Sequence, residues 1–197
     1  MPILEVQNLA VTLDHRPIVH GISFSVEPGQ NVAIVGPNGS GKTVLVKSLL
    51  GIVPHTGEVR WSAAVKIGYV PQKIEADRTV PLNARALLHA KARVIGASHA
   101  NVADTVGRLA LSDDILSTQI GHLSGGQFQR TLIAFALVGG PDIVFFDEPT
   151  ASIDEPGEEQ IYDLIERLRH DMNLAVVMVT HDHTYVEHHA SFVVRLG

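Results

Sequence analysis

The chain has 197 residues and a net charge of −6, and 45% of its residues are hydrophobic and 18% charged, a balance typical of one soluble globular domain. Because it has no cysteine and no basic run, the composition excludes disulfides and thiolate metal sites and argues against a nucleic-acid partner. No apolar run reaches the roughly 18–20 residues of a membrane-spanning helix, and the amino terminus lacks a signal-peptide pattern, so we expect a cytoplasmic chain.

The first part of the chain alternates apolar and polar positions, a pattern that predicts β-strands. A glycine-rich loop interrupts the strands and leads into a predicted helix over 42–50, which Gly51 ends. The predicted strands of this part cover residues 4–13, 18–26, 31–35, 58–61 and 65–70.

Residues 75–140 have a different character, because apolar positions recur there at helical spacing. Helices are predicted over 85–93 and around 102–110. The stretch 126–138 is apolar nearly all round, which predicts a buried helix.

The alternation of strand and helix returns after residue 142. Helices are predicted around 161–168, where apolar residues follow the spacing of an amphipathic helix, and over 182–189. Strands are predicted over 143–146, 174–179 and 192–196. The outer parts of the chain therefore predict an α/β sheet domain, and the segment between them is a helical insertion.

The glycine-rich loop carries the first chemical motif. Residues 36–43 are GPNGSGKT, a full match to the phosphate-binding pattern between a strand and a helix. Its glycines let backbone N–H groups face a phosphate, Lys42 can reach the β- and γ-phosphates, and the Thr43 hydroxyl can ligate Mg²⁺. The candidate nucleotide ligands of this loop are Gly36, Pro37, Asn38, Gly39, Ser40, Gly41, Lys42 and Thr43.

A second motif is the apolar strand that ends in two acids, Asp147 and Glu148. The carboxyl ends of parallel strands line the ligand crevice of an α/β sheet. Asp147 could hold Mg²⁺ there, and Glu148 could act as the general base that polarises the attacking water.

The third motif is LSGGQ at residues 123–127, where Ser124 can cap a helix that begins at Gly125. Here the chain resembles the ABC ATPase family, whose signature is this pentapeptide. The resemblance covers essentially the whole chain. It implies that Ser124, Gly125, Gly126 and Gln127 contact ATP held by the phosphate loop of a second subunit.

Three further positions match motifs of the same family. Gln72, in YVPQ, resembles the glutamine of the Q-loop, which contacts Mg²⁺ and the attacking water. Asp154, in ASID, resembles the aspartate of the D-loop, although alanine replaces the usual first serine. His181, in VTHD, resembles the switch histidine that contacts the γ-phosphate.

The resemblance implies a P-loop NTPase fold of the ABC ATPase type. This fold has an N-terminal antiparallel β region, a mostly parallel core sheet flanked by helices, and an inserted helical subdomain. We expect one ATPase domain over 1–197, in which 1–74 and 141–197 form the α/β catalytic core and 75–140 the helical signature subdomain.

The resemblance also implies binding partners and a location in the cell. Two such domains pack head to tail, most simply as a homodimer, and drive integral membrane permease subunits from the inner face of the cell membrane. An external substrate-binding protein takes part indirectly. One departure from the family pattern concerns recognition of the adenine ring. Leu13 stands where the family usually has an aromatic residue that stacks on adenine, and His15 is two residues further along the chain.

The stretch from Gln72 through Pro81 to a compact helical insert is similar to the branch of the family that imports zinc, manganese or iron. Several alternatives remain open: a transporter subunit for another substrate, a soluble ABC ATPase that assembles a cofactor or cluster, and a nucleotide-binding module without hydrolysis. A regulatory metal site is a further hypothesis, on the histidines His181, His183, His188 and His189.

Overall fold

Eight strands and seven α-helices form in the computed structural model, which describes residues 1–72, 74, 81–151 and 153–197. The strands are β1 (Leu4–Leu13), β2 (Arg16–Val26), β3 (Asn31–Val35), β4 (Thr56–Trp61), β5 (Ile67–Val70), β6 (Ile143–Asp147), β7 (Ala175–Val179) and β8 (Phe192–Arg195). The helices are α1 (Lys42–Leu49), α2 (Ala84–Ile95), α3 (His99–Arg108), α4 (Asp113–Ser117), α5 (Gly125–Leu137), α6 (Glu155–Met172) and α7 (His183–His189).

The strands form two sheets, an antiparallel one and a parallel one. The antiparallel sheet has the order β2-β1-β4, and the parallel sheet has the order β5-β6-β7-β3-β8. The expected α/β architecture, with an N-terminal antiparallel region and a parallel core sheet flanked by helices, is therefore confirmed.

The β1–β2 hairpin is tighter than the sequence indicated. Strand β2 begins at Arg16, which pairs with Leu13, whereas the prediction began the strand at Ile18. The turn residues Asp14 and His15 both have positive φ, 48° and 60°. Two consecutive left-handed residues make a two-residue hairpin turn that matches the twist of the strands, so pairing starts directly after it.

Three central strands of the parallel sheet, β3, β6 and β7, are buried at every position because the sheet is covered on both faces. Along β6 the side chains alternate between two hydrophobic cores. Val144 and Phe146 pack with the helices of the insertion and α6, whereas Ile143 and Phe145 pack with α1 and the antiparallel sheet. The sheet therefore separates the two cores.

The helices between β5 and β6 begin at side-chain caps. Asn83, Ser98, Ser112 and Ser124 each accept a hydrogen bond from a backbone N–H in the first turn of α2, α3, α4 and α5. Helix α5 is buried only from Thr131 onward, so the prediction of a helix buried along its length is wrong for its first turns. Those turns carry the signature motif at the surface.

A buried polar cluster links three elements behind the parallel sheet. The Glu166 carboxylate on α6 accepts hydrogen bonds from Asn31 Nδ2 at 2.7 Å and from the Tyr185 hydroxyl at 2.9 Å. Its second oxygen pairs with Arg169 Nε at 2.9 Å, and Arg169 also donates to the carbonyl oxygen of Gly29 at 2.7 Å. The cluster therefore fixes α6 and α7 to the start of β3.

We expect Glu166→Ala to destabilise the fold by about 3 kcal/mol, because it removes the acceptor that the buried Asn31 and Tyr185 share with the half-buried Arg169. Urea denaturation followed by circular dichroism measures the change. Glu159→Ala, at an exposed position of the same helix, is the matched control and should change stability by less than about 0.5 kcal/mol. Equal effects of the two substitutions would contradict a stabilising role for the cluster.

Candidate nucleotide site

The phosphate loop lies between β3 and α1, and two of its glycines are required by close packing. Gly41 has a φ of 92°, and a Cβ atom there would lie 2.8 Å from Cγ2 of Ile18. A Cβ on Gly36 would lie 2.5 Å from the carbonyl oxygen of Leu196 and 2.7 Å from Oγ of Ser40. The loop therefore curls at the amino-terminal end of α1, where backbone N–H groups and the helix dipole favour an anion.

Lys42 is almost fully buried, with 6% of its side chain exposed. Its Nζ donates hydrogen bonds to the carbonyl oxygens of Gly36, at 3.0 Å, and Pro37, at 3.2 Å, and lies 3.7 Å from Oε1 of Glu148. The loop thus folds back over its own lysine. A buried ammonium held by two carbonyls and one carboxylate is well placed to attract phosphate oxygens.

Asp147 lies at the end of β6, buried against α1 and β5. The Thr43 hydroxyl donates to Oδ1 of Asp147 at 3.1 Å, and the Tyr69 hydroxyl lies 3.5 Å from its Oδ2. Burial, and then the charge of Glu148, raise the pKa of Asp147 above its ordinary value, against the hydrogen bonds from Thr43 and Tyr69 that lower it. Burial and the same aspartate raise the pKa of Tyr69 to about 12.

The oxygen atoms around Asp147 fit a magnesium ion. A threonine hydroxyl and a carboxylate meet here, and hard oxygen ligands of this kind are those that Mg²⁺ prefers. The amide of Gln72 contacts the adjacent acid, Glu148. A divalent cation would also offset the cost of burying a carboxylate that has no buried basic partner within hydrogen-bonding distance among the described residues.

Glu148 contacts other groups than Asp147 does, and its backbone is left-handed, with a φ of 49°. Oε2 accepts a hydrogen bond from Nε2 of Gln72 at 2.6 Å, and Oε1 faces Lys42. The two adjacent acids therefore face different groups: Asp147 faces Thr43, and Glu148 faces Gln72 and the phosphate loop.

The structure thus brings together six of the predicted residues. Contacts connect Lys42, Gln72 and Glu148, and a separate contact joins Thr43 to Asp147. His181 lines the same cavity, of about 660 Å³, as Glu148 and the start of the phosphate loop. The start of the phosphate loop that lines this cavity is Gly36, Pro37 and Asn38.

The signature residues lie elsewhere. Ser124, Gly125 and Gly126 line a separate cleft, which they share with Asp154. Ser124 Oγ accepts from the Gln127 backbone N–H, and Gln127 Oε1 accepts from the Ser124 N–H, so the predicted cap of α5 is confirmed as a reciprocal pair. Among the residues that the structure describes, the two clefts have no lining residue in common. One chain therefore presents two separate parts of the expected site.

Leu13, which stands at the usual aromatic position, lies at the end of β1 and is 37% exposed. His15 lies in the hairpin turn next to it. The site also contains a residue that the sequence analysis did not identify, Tyr69, which contacts Asp147. Its signal was weak, since a tyrosine in a buried strand is usually part of the core; only the pairing of β5 with β6 brings it beside the acid.

The hypothesis of a regulatory metal site finds no support among the described residues. No group of three or more histidine, cysteine or acidic side chains there is arranged to hold a metal ion. His188 instead contacts the carbonyl oxygen of Thr184, and the His189 ring packs on Tyr185. Within the same residues, no helix combines the length and the apolar character that crossing a membrane requires.

Comparison with known proteins identifies relatives that match most of the chain. A family model described as ABC transporter matches residues 19–151. The zinc import ATP-binding protein ZnuC of Roseobacter denitrificans is 39% identical over 183 residues, which are 92% of this chain and 70% of that protein. The protein of the same name from Cereibacter sphaeroides is 42% identical, and the match covers 92% of this chain and 74% of that protein.

The fold has relatives among solved structures. An ABC transporter in an inward-facing conformation superposes with a TM-score of 0.88, and the match covers 100% of this chain and 80% of that one at 24% sequence identity. At that identity the likeness carries the fold alone. It confirms the expected P-loop NTPase fold of the ABC ATPase type.

We expect Lys42→Ala to weaken the binding of ATP by at least about tenfold, since it removes the buried ammonium beside the phosphate loop. Titration with a fluorescent ATP analogue measures the affinity. Lys91→Ala, which removes a lysine of α2 that lies over the ring of Phe135, is the matched control and should leave the affinity unchanged. Unaltered binding by a folded Lys42→Ala variant would contradict the assignment of the phosphate site.

Proposed function

The chain belongs to the ABC transporter family, as an ATP-binding and ATP-hydrolysing subunit, and we propose that the cargo of its transporter is a transition-metal cation, zinc or manganese. The support for a metal importer is the identity of 39% and 42%, over 92% of the chain, with proteins named for zinc import. Zinc is the cation those names give, and it is therefore the first to test.

The observation that carries the proposed mechanism is the linked set of Lys42, Glu148 and Gln72 next to the Thr43–Asp147 pair. In this proposal Lys42 binds the β- and γ-phosphate oxygens and offsets the negative charge that the transfer step develops on them. Thr43, Asp147 and Gln72 would hold Mg²⁺, which supplies further positive charge to the phosphates.

Glu148 is the proposed general base. Its carboxylate would accept a proton from the water that attacks the γ-phosphorus, while Gln72 orients the water and His181 contacts the γ-phosphate. In the structure Glu148 is held by Lys42 and Gln72. Phosphate oxygens compete for the same lysine, so nucleotide binding would loosen one of the two contacts and release the carboxylate toward water.

The two separate clefts support a head-to-tail dimer as the active form. The phosphate loop and the signature residues line separate cavities of one chain, so a nucleotide in the first cavity would reach a signature only on a second copy. The backbone N–H groups of Gly125 and Gly126 at the start of α5 are suited to an anion there. Asp154, in the signature cleft, would approach the partner's site.

The proposed partners are integral membrane permease subunits on the inner face of the cell membrane, with an external substrate-binding protein that delivers the cargo. In the proposed division of the chain, residues 1–74 and 141–197 form the catalytic core and 75–140 the helical signature subdomain. The region of Gln72 joins them, since β5 ends just before it. A movement of the phosphates could reach the permease through this joint.

We expect Glu148→Gln to lower ATP turnover by about 10²-fold or more, because an amide cannot act as the general base. Affinity for ATP should remain within about threefold of the wild type, and the ATP-bound dimer should accumulate in size-exclusion chromatography. Glu27→Gln, at an exposed residue that pairs with the amino terminus, is the control for loss of one carboxylate. Rapid turnover by Glu148→Gln would contradict the assignment of the base.

We expect cells that carry Lys42→Ala in place of the wild-type chain to contain less zinc when they are grown in metal-poor medium. Elemental analysis by mass spectrometry measures zinc, manganese and iron in the same samples. A selective fall in manganese would assign that cation instead. Unchanged metals, with the variant present at wild-type level, would contradict metal import and favour another cargo or a soluble assembly ATPase.

A further inference from the structure

The buried hydroxyl of Tyr162 lies between two loops of the site. On α6 its oxygen is 3.2 Å from Oγ1 of Thr150 and 3.1 Å from Oγ1 of Thr180. The three residues are 7%, 3% and 2% exposed. A hydroxyl has one donor and two acceptor positions, so the tyrosine can bridge both threonines at once.

Thr150 is part of the loop that follows β6. The turn that contains it is closed by hydrogen bonds from the Ala151 N–H to the carbonyl oxygen of Glu148, at 3.2 Å, and from the Ile153 N–H to the carbonyl oxygen of Thr150, at 2.9 Å. Glu148 lies at one end of this turn and Asp154 at the other. A shift of Thr150 would therefore move both of them.

Thr180 directly precedes His181 in the loop that follows β7. Its Oγ1 accepts the N–H of Asp182 at 3.0 Å. Asp182 in turn caps α7, because its Oδ1 accepts the N–H groups of Thr184 and Tyr185. His181 therefore lies between Thr180, which is hydrogen-bonded to Tyr162, and Asp182, whose N–H donates to Thr180. These two contacts fix the backbone of His181.

The Tyr162 ring is itself held by the scaffold. It stacks on the ring of Tyr185 with centroids 4.4 Å apart and planes at 28°. The hydroxyl of Tyr185 is fixed by Glu166 and Asn31 in the polar cluster behind the sheet. The bridging hydroxyl therefore has a rigid support, and it does not line the cavity of the phosphate loop.

We propose that Tyr162 is a positioning residue for ATP hydrolysis, whose hydroxyl sets the distance between the loop of Glu148 and Asp154 and the loop of His181. The inference rests on the roles proposed above for those three residues. General base and switch histidine must act on the same γ-phosphate, and small errors in their relative position slow a reaction strongly. Nucleotide binding depends on the phosphate loop, which this bridge does not contact.

Tyr162→Phe tests the proposal, because it keeps the stacked ring and removes only the bridge. We expect kcat to fall by about tenfold and the dissociation constant for ATP to stay within about twofold. The matched control is Tyr185→Phe, which also removes one buried tyrosine hydroxyl but leaves the two loops bridged. It should lower the melting temperature and keep kcat within about twofold.

The outcomes separate positioning from general packing. A fall in kcat for Tyr162→Phe alone supports the proposal. It is overturned if Tyr162→Phe lowers only the melting temperature, if both phenylalanine variants lower kcat equally, or if ATP binding weakens in step with kcat. Turnover is counted per nucleotide-binding chain, so partial unfolding does not enter the comparison.

The threonine end gives a second, independent test. Thr150→Val removes one of the two hydrogen bonds of the bridge without changing the side-chain volume much, and Thr150→Ser keeps the hydroxyl. We expect the valine variant to lose kcat as Tyr162→Phe does, the serine variant to retain it, and the double variant Tyr162→Phe/Thr150→Val to be no slower than the slower single variant. If the losses of kcat in the two single variants multiply in the double variant, the proposed bridge is overturned. Failure of the Glu148 assignment itself is a separate result, read from Glu148→Gln.

Discussion

The parallel pairing of β3, β6 and β7 is the constraint on which the site depends. Asp147 at the end of β6 pairs with Val179 of β7, which also pairs with Ile34 of β3, so the three strands end at one level. The phosphate loop, the two acids and the switch histidine follow directly from these ends. Because the strands are buried on both faces, a slip in register would expose apolar side chains. The free-energy cost of such a slip keeps the residues at the strand ends in fixed positions relative to one another.

Local chemistry made much of the site predictable from the sequence. The phosphate loop, the acids that end β6 and the serine cap of α5 depend on neighbouring residues, and each lies where the pattern placed it. Contacts between distant residues were not predictable. The hydrogen bond of Gln72 to Glu148 and the pairing of Tyr69 with Asp147 exist only once β5 lies beside β6. The prediction of a buried α5 was wrong at its first turns because Gly126 and Phe128 count as apolar residues there although they are only partly buried.

A chain of contacts connects the polar cluster around Glu166 with the loops that carry the catalytic candidates. Glu166 and Asn31 fix Tyr185, Tyr185 stacks on Tyr162, and the threonines beside Tyr162 belong to the loops that carry the catalytic candidates. A buried carboxylate costs free energy unless it is fully paired. Replacing a whole buried ion pair by hydrophobic residues often costs no stability, whereas removing one partner of the pair does. Here the Glu166 carboxylate is paired with Asn31, Tyr185 and Arg169, so its removal would leave three groups without the acceptor that they share.

The position of the helical segment has a consequence for how such proteins diversify. The chain leaves the sheet at the end of β5 and returns into the adjacent strand β6, and the helices between them carry their own caps. A change of length in the loops between these helices would leave the pairing of β5 with β6 unaltered, because each helix begins at a cap of its own. Relatives are therefore expected to differ in length in these loops sooner than in the signature residues at the start of α5.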